Sequence, residues 1–200
     1  MKKFILGTKL NMTQLFDEEG RVHPVTVLKT SPTTVTQVKT EATDGYAAVQ
    51  VGYGKKSAKR INKAQKGHMK DGAFATLKEI KGFEGELPVG STIENTFEAG
   101  DIVEVSAISK GKGFQGVVKR HGFHGGPRSH GQKHSEREPG SIGAGGYQRV
   151  FKGTRMGGRM GGDRITVKNL VVVSVDNEAN EIYIRGAVPG RRGTLVEVRG

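Results

Sequence analysis

Residues 110–164 constrain the fold of this chain more than any other stretch, because they combine a high positive charge with little material for a core. They contain 12 lysines and arginines against 3 acids, a net charge of +9, whereas the whole 200-residue chain carries +12. The same stretch holds 16 of the 31 glycines. Its ten large apolar side chains are too few to offset the conformational entropy lost on ordering 55 residues. We therefore expect a segment that is mobile, or that is ordered by a polyanionic partner.

The composition limits the class of partner. A pI near 10.0 favours nucleic acid, an anionic membrane surface or an acidic protein. No run of 18 apolar residues is present, which argues against a helical membrane span. The first six residues resemble the start of a signal peptide, but Thr8 and Lys9 end the apolar run too early. The absence of cysteine removes disulfides and thiolate metal sites, and we expect a cytoplasmic chain without a cofactor.

The flanks of residues 110–164 contain short β-branched runs separated by turn residues, which is typical of a sandwich or barrel. The predicted strands are residues 4–10, 22–28, 33–39, 46–51, 102–108, 165–175, 181–185 and 194–198. Neither flank has enough strands to close a sheet alone. We therefore predict a mainly β fold, in which residues 1–109 and 165–200 form one β domain and residues 110–164 form a long extended arm.

A small, partly helical insertion is predicted within the β domain at about residues 52–100. Residues 71–80 have weak helical spacing. Residues 82–100 are rich in glycine and glutamate, contain Pro88 and show no strong period.

The start of this insertion, residues 52–70, is a second basic patch with seven lysines and arginines and no acid. Lys56, Arg60 and Lys63 would share one face of a helix, but the flanking glycines fit a loop equally well. A run of charge is usually only a solvated face. The lack of any acid favours a binding surface here.

Gly111, Gly113 and Gly116 form a G-x-G-x-x-G pattern after a predicted strand. A dinucleotide-binding fold needs a helix that begins at this loop within a βαβ unit. Only residues 117–121 precede the next glycine, and we predict no helix there. These glycines are expected to let backbone N–H groups approach phosphate. A phosphate-binding enzyme that uses residues 111–116 is kept as an alternative.

Four of the six histidines lie in the arm, at positions 121, 124, 130 and 134. His130 and His134 have the i, i+4 spacing of a zinc site on a helix, but Gly131 disfavours a helix and no acid completes the motif. The rings are better suited to stacking on bases or donating to phosphate. Ser129 and Ser141 lack a nucleophile elbow or an orienting acid, so we predict neither a metal site nor a catalytic site.

The candidate RNA-binding residues are all Lys, Arg or His. Those of the second basic patch are Lys55, Lys56, Arg60 and Lys63. Those of the arm are Lys110, Lys112, Lys119, Arg120, His121, His124, Arg128, His130, Lys133, His134, Arg137, Arg149, Lys152, Arg155, Arg159 and Arg164. Phe114, Phe123 and Phe151 fit either stacking platforms or local packing anchors, and Met156 and Met160 are expected to pack the base of the arm against the β domain.

Several motifs resemble, in order, those of one known family. They lie at residues 7–14 (GTKLNMTQ), 97–120 (ending SKGKGFQGVVKR), 139–143 (PGSIG), 150–158 (VFKGTRMGG), 168–170 (KNL) and 185–190 (RGAVPG). This pattern resembles the family of the third protein of the large ribosomal subunit, the L-three family in its bacterial form. The resemblance extends over essentially all 200 residues.

The resemblance implies a translation-protein-type β-barrel whose arm threads into the rRNA of the large subunit. It also implies a structural role: binding near the 3′ end of 23S rRNA, nucleation of subunit assembly, and contact with neighbouring large-subunit proteins. The tip of the arm, around residues 141–149, would approach the peptidyl transferase centre. No membrane and no small-molecule substrate is implied. The charge pattern alone also fits a general nucleic-acid-compacting protein, so the choice of RNA over DNA depends on the resemblance.

Overall fold

A computed structural model describes residues 3–69, 72–82 and 87–200. The strands are β1 (Phe4–Phe16), β2 (Val22–Thr30), β3 (Thr33–Lys39), β4 (Ala48–Lys55), β5 (Phe74–Lys81), β6 (Thr92–Ile93), β7 (Ile102–Ile108), β8 (Phe114–Gln115), β9 (Gly158–Arg159), β10 (Arg164–Asp176), β11 (Glu181–Arg185) and β12 (Leu195–Arg199). The helices are α1 (Glu41–Asp44), α2 (Lys63–Met69) and α3 (Val117–His121), with a 3-10 turn at Ala58–Arg60. The prediction of a mainly β fold is confirmed.

The chain forms two compact units. The barrel unit consists of Met1–Ile108 and Arg164–Gly200, and the arm unit consists of Ser109–Asp163. The chain leaves the barrel unit at the end of β7 and re-enters it at the first residue of β10, where Arg164 lies opposite Ile108. The arm unit is therefore an insertion between two paired strands.

Six antiparallel strands of the barrel unit close into a barrel in the order β1-β12-β7-β10-β11-β2. The first and last strands pair with each other, so that Ile5 lies opposite Val198. Closure needs strands from both sides of the arm unit, since β1, β2 and β7 precede it and the other three follow it. Inward and outward residues alternate along such strands. The core cluster inside the barrel includes Ile5, Leu28, Val105, Val172, Ile184 and Val198.

A second, four-stranded sheet in the order β5-β4-β3-β6 packs on the outer face of β1. Phe4 and Leu6, on the opposite face of β1 from the core residue Ile5, are buried with Val35 and Ile80 of this sheet. Because β1 is buried on both faces, its first residues form a continuous apolar run instead of alternating.

The second sheet differs from the sequence prediction in two respects. The strands predicted at residues 33–39 and 46–51 leave the barrel and form β3 and β4 of this sheet. The weak helical spacing of residues 71–80 was misleading, because Phe74–Lys81 is a strand that pairs with β4 and is anchored there by Ile80. Pairing and burial outweigh a weak period. Residues 70, 71 and 83–86 of the predicted insertion lie outside the described residues.

Three predicted strands, residues 33–39, 102–108 and 181–185, have the bounds that the structure shows. β1 continues to Phe16 instead of ending at residue 10, because its second half pairs with β2 in a hairpin. The turn of this hairpin is held by Asp17, whose carboxylate accepts the backbone N–H of Arg21 at 2.7 Å. That hydrogen bond, despite partial desolvation, lowers the pKa of Asp17.

Two of the family motifs meet through a buried lysine. Lys9, in the first motif, donates through Nζ to the carbonyl oxygens of Val188 at 2.6 Å and Gly190 at 3.2 Å, in the last motif. A buried ammonium group requires such acceptors. Lys9 therefore fixes the loop between β11 and β12 to β1, across about 180 residues of sequence.

Candidate nucleic-acid interface

The arm unit has almost no core of its own. In Ser109–Asp163, all of which is described, Val117 is the one buried residue. Phe114 is 79% exposed and Phe151 is 46% exposed, whereas Phe123 is half-buried. Backbone hydrogen bonds and a few side-chain anchors, instead of an apolar core, define the conformation of this unit.

The base of the arm unit is a pair of antiparallel segments. The N–H of Lys112 donates to Met160 O at 2.8 Å, and the N–H of Met160 donates to Gly113 O at 2.9 Å. Gly161 makes this approach possible, since it has a φ of +75° and a Cβ there would lie 2.1 Å from Lys110 O. Lys110 and Lys112 belong to this paired base, and both residues are exposed.

A short helix follows the glycine pattern, where the sequence analysis predicted none. α3 begins after Gly116 and ends at Gly122, which has a left-handed φ of 72° and donates its N–H to Val117 O and Val118 O. Gly122 therefore caps the carbonyl end of this single turn, and Val117 is its buried residue. The helix has only five residues, and β8 pairs antiparallel with β9. The glycine pattern therefore lacks the βαβ unit of a dinucleotide site.

Arg120 and His121 on α3 both bind the carbonyl oxygen of Met156. The Arg120 Nη1 lies 2.8 Å from it and the His121 Nε2 lies 3.0 Å from it, so both side chains donate. Both residues are half-buried. They therefore hold the returning segment of the arm unit, whereas Lys119 on the same helix is exposed.

An open cavity of about 540 Å³ lies within the arm unit. On one side of the cavity, two backbone segments lie close together, and the N–H of Gly126 donates to Glu136 O at 3.1 Å. Glycine is needed at position 125, because a Cβ there would lie 1.9 Å from the same oxygen. The side chains around the cavity include an aromatic ring, two imidazoles, a guanidinium and a carboxylate. They are Phe123, His121, His124, Arg155 and Glu138. Such groups stack on an unpaired RNA base and hydrogen-bond its edge.

The predicted tip, residues 141–149, is exposed throughout. Tyr147 meets Phe151 edge to face, with ring centroids 5.0 Å apart, and the Arg149 guanidinium lies 5.6 Å from the Phe151 centroid. Ile142 and Val150 are also more than 40% exposed. The tip therefore presents apolar and aromatic side chains beside a cation, a combination that suits base stacking.

The candidate cations of the arm unit are mostly exposed. The exposed ones are Lys110, Lys112, Lys119, His124, Arg128, His130, Lys133, His134, Arg137, Arg149, Lys152, Arg155 and Arg159. Among the described residues, the one ion pair that involves this unit joins Arg128 to Glu136 at 2.6 Å. Many cations with so few compensating acids produce a strong positive potential. Arg164 differs, since it belongs to the barrel unit and donates to Glu197 at 2.6 Å.

The second basic patch lies in the barrel unit between β4 and β5. Lys55 ends β4, Lys56 follows it half-buried, Arg60 ends the 3-10 turn, and Lys63 begins α2. A single helix that would align Lys56, Arg60 and Lys63 does not form, so of the two conformations left open the loop is closer to the structure.

Buried residues hold this patch on the second sheet. Ile61 and Met69 are each 7% exposed, and His68 Nε2 lies 2.9 Å from Gln50 Oε1 on β4. Lys59 and Lys66, which the candidate set omits, are exposed in the same segment. The absence of any acid from residues 52–70 was the signal that could have included them.

The structure also bears on metal binding and on membrane-spanning helices. Across residues 3–69, 72–82 and 87–200, no group of three His, Asp or Glu side chains is arranged to hold a metal ion. His130 and His134 lie exposed in a turn and a bend. In this described part of the chain, no helix has the length and apolar character needed to span a bilayer.

Comparison with known proteins agrees with the resemblance in the sequence motifs. Residues 83–181 match the family model described as Ribosomal protein L3. The chain is 49% identical over 205 residues to large ribosomal subunit protein uL3 of Leptospira biflexa, covering 99% of this chain and 98% of that protein. It is 49% identical over 203 residues to large ribosomal subunit protein uL3 of Streptococcus pyogenes serotype M1, covering 100% of this chain and 97% of that protein. The chain belongs to the ribosomal protein L3 family.

Proposed function

We propose that this chain is a structural constituent of the large ribosomal subunit in the cytoplasm, where it binds rRNA and performs no catalysis. Family membership supports the assignment to the subunit. The observation that supports rRNA binding is the composition of the arm unit. It contains eleven lysines and arginines, three acids and a single buried residue. Cations of this density lower the repulsion between phosphates where RNA helices crowd together.

The partner is 23S rRNA near its 3′ end, and the arm unit extends toward the peptidyl transferase centre. The family resemblance supports this placement, as does the composition of the tip. Residues 143–146 are Gly-Ala-Gly-Gly, so the backbone there is narrow enough to pass between RNA helices. Early binding by such an arm would nucleate assembly of the subunit around it.

Phosphate and base contacts have different sources in this proposal. The exposed lysines and arginines of the arm unit and of the second basic patch contact phosphates. The cavity that includes Phe123, His124 and Arg155 receives an unpaired base, which stacks on the aromatic ring. Phosphate contacts supply affinity and orient the protein on the RNA, and base contacts supply specificity for the RNA sequence.

A salt titration tests the phosphate contacts. If the arm unit displaces about six to ten counterions, the affinity for a 23S rRNA fragment falls on the order of a thousandfold or more between about 50 and 200 mM salt. Competition with duplex DNA of equal length is the control, and we expect DNA to compete poorly. A nearly flat salt response would refute the proposal, and equal competition by DNA would favour a general nucleic-acid-compacting protein.

Deletion of residues 122–160 tests the role of the arm unit directly. We expect loss of rRNA association with little change in the β-sheet circular dichroism, because all six barrel strands lie outside the deletion. Retained binding would indicate that the second basic patch, and not the arm unit, forms the main interface with rRNA. Loss of the sheet signal would show that the barrel depends on the arm unit for folding.

A further inference from the structure

The hairpin of β1 and β2 extends beyond the barrel. Pairing of β1 with β12 ends at Thr8, whereas pairing with β2 continues to Phe16, which lies opposite Val22. Among the described residues, β2 is the one strand that pairs with β1 beyond Thr8. The turn is ordered, since the Asp17 carboxylate accepts from the N–H groups of Glu19 and Arg21.

One face of this hairpin is apolar and uncovered. Directly opposite residues of an antiparallel pair share a face, and so do residues two apart on a strand. Met12, Phe16 and Val22 therefore lie on one face, with Gln14 and its opposite residue Pro24 between them. Met12 is 49% exposed, Phe16 is 64% exposed and Val22 is 50% exposed. Exposed apolar side chains that are grouped in this way mark an interaction surface.

The charge of the hairpin is opposite in sign to that of the chain. Residues 10–26 contain Asp17, Glu18 and Glu19 against Arg21, a net charge of −2, in a chain of net charge +12. The Arg21 guanidinium is neutralised by Glu19 at 2.5 Å, and Glu18 is exposed. At the turn, Asp17 and Glu18 disfavour an RNA phosphate and favour a cationic polypeptide. Arg192 lies at the other end of the hairpin, where its Nε donates to Leu10 O at 2.9 Å.

We propose that the apolar face of the β1–β2 hairpin is a docking surface for a basic protein of the same ribosomal subunit. That protein contributes apolar side chains opposite Phe16 and Val22, with lysine or arginine near Glu18. The inference depends on the proposed function, because it assumes that the chain resides in the subunit. It divides the chain into surfaces of opposite preference, since the arm unit faces RNA and the hairpin faces protein.

Photo-crosslinking in assembled subunits tests this docking surface. Gln14 is exposed on the apolar face, and Gln14→p-benzoylphenylalanine places a reactive ketone there. We expect an adduct that resists ribonuclease and contains, by mass spectrometry, a peptide from a protein with a pI above about 9. Tyr147→p-benzoylphenylalanine in the arm unit is the control and should give an RNA adduct.

The two positions separate failure of the inference from failure of the proposed function. An RNA adduct at Gln14, an adduct with a second copy of this chain, or no adduct would overturn the inference if Tyr147 still crosslinks to RNA. If the chain does not enter the subunit, or if Tyr147 gives no RNA adduct, the proposed function itself fails.

Variants of the apolar face provide a second measurement. Phe16→Ser is added to the chain that carries p-benzoylphenylalanine at position 14. It should lower the yield of protein adduct about tenfold, because the aromatic ring that the docked partner would bury is lost. Phe16→Leu keeps an apolar side chain and should retain most of the yield. Circular dichroism of both variants shows whether the barrel is intact, which we expect since Phe16 is mostly exposed. Equal yields from both folded variants would contradict the docking surface.

Discussion

Arg164 donates through Nη2 to Oε2 of Glu197 at 2.6 Å, at the point where the chain re-enters the barrel. The other oxygen of Glu197 pairs with Lys78 of the second sheet at 3.0 Å. Burial alone would raise the pKa of Glu197, but hydrogen bonds from Arg164 and Lys78 outweigh it and lower the pKa. One carboxylate therefore links two barrel strands, β10 and β12, to β5 of the second sheet.

We expect Glu197→Gln to lower the free energy of unfolding by about 1–3 kcal/mol, since hydrogen bonds to a charged group are lost and nearby cations remain. Because the folded-state pKa of Glu197 lies below its ordinary value of 4.5, this stabilisation is complete above that pH. It is lost as the pH falls below 4.5 through the folded-state pKa. Urea unfolding at pH 7 and at pH 3 measures both effects, and the difference between wild type and variant should shrink at pH 3.

Glu94→Gln is the matched control for that experiment. Glu94 is exposed, and its neutralisation should change stability by less than about 0.5 kcal/mol. Equal destabilisation by the two variants would mean that the ion pairs of Glu197 contribute nothing specific.

Arg120 and Lys119 are adjacent cations with different predicted roles. Arg120→Lys keeps the charge but loses the hydrogen bond from Nη1 to Met156 O, so we expect about threefold to tenfold weaker rRNA binding. Lys119→Arg keeps the charge of an exposed side chain and should change the affinity by less than about twofold. Filter binding at one fixed salt concentration compares them. If both variants bind like the wild type, Arg120 acts only as a charge.

Gly161→Ala should separate the two segments at the base of the arm unit. The left-handed φ alone costs an alanine about 1–2 kcal/mol, and its Cβ would lie 2.1 Å from Lys110 O. We expect hydrogen exchange of the Lys112 and Met160 amides to accelerate about tenfold or more. Gly111→Ala is the control, because a Cβ there meets no atom within 4 Å. Unchanged protection in the Gly161 variant would show that this base is not formed in solution.

Phe123→Leu tests whether the cavity in the arm unit receives a base. Stacking on an aromatic ring contributes about 1–3 kcal/mol per base, so we expect rRNA affinity to fall roughly fivefold or more. Phe16→Leu, on the acidic hairpin, should leave rRNA affinity unchanged. A Phe123→Leu variant with normal affinity but faster exchange of nearby amides would identify Phe123 as a packing anchor instead.

Local sequence features determined the class of fold. Alternating β-branched runs gave strands at residues 102–108 and 181–185 with the bounds that the structure shows, because strand formation there agrees with both the local pattern and the packing. Weak local signals failed. Phe74–Lys81 forms β5 because pairing with β4 places Ile80 in an apolar cluster. The sequence of residues 71–80 alone does not show that β4 is their neighbour.

By itself, the sequence determined the mainly β class, the concentration of cations in residues 110–164 and the family, since composition, spacing and motif order are properties of the chain. Only the tertiary structure decided which cations bind other parts of the chain. It commits Arg120 to Met156 and Arg164 to Glu197, and it leaves Phe16 and Val22 uncovered on the β1–β2 hairpin. The physical reason is that burial and pairing depend on residues far apart in sequence, as Lys9 and Val188 demonstrate.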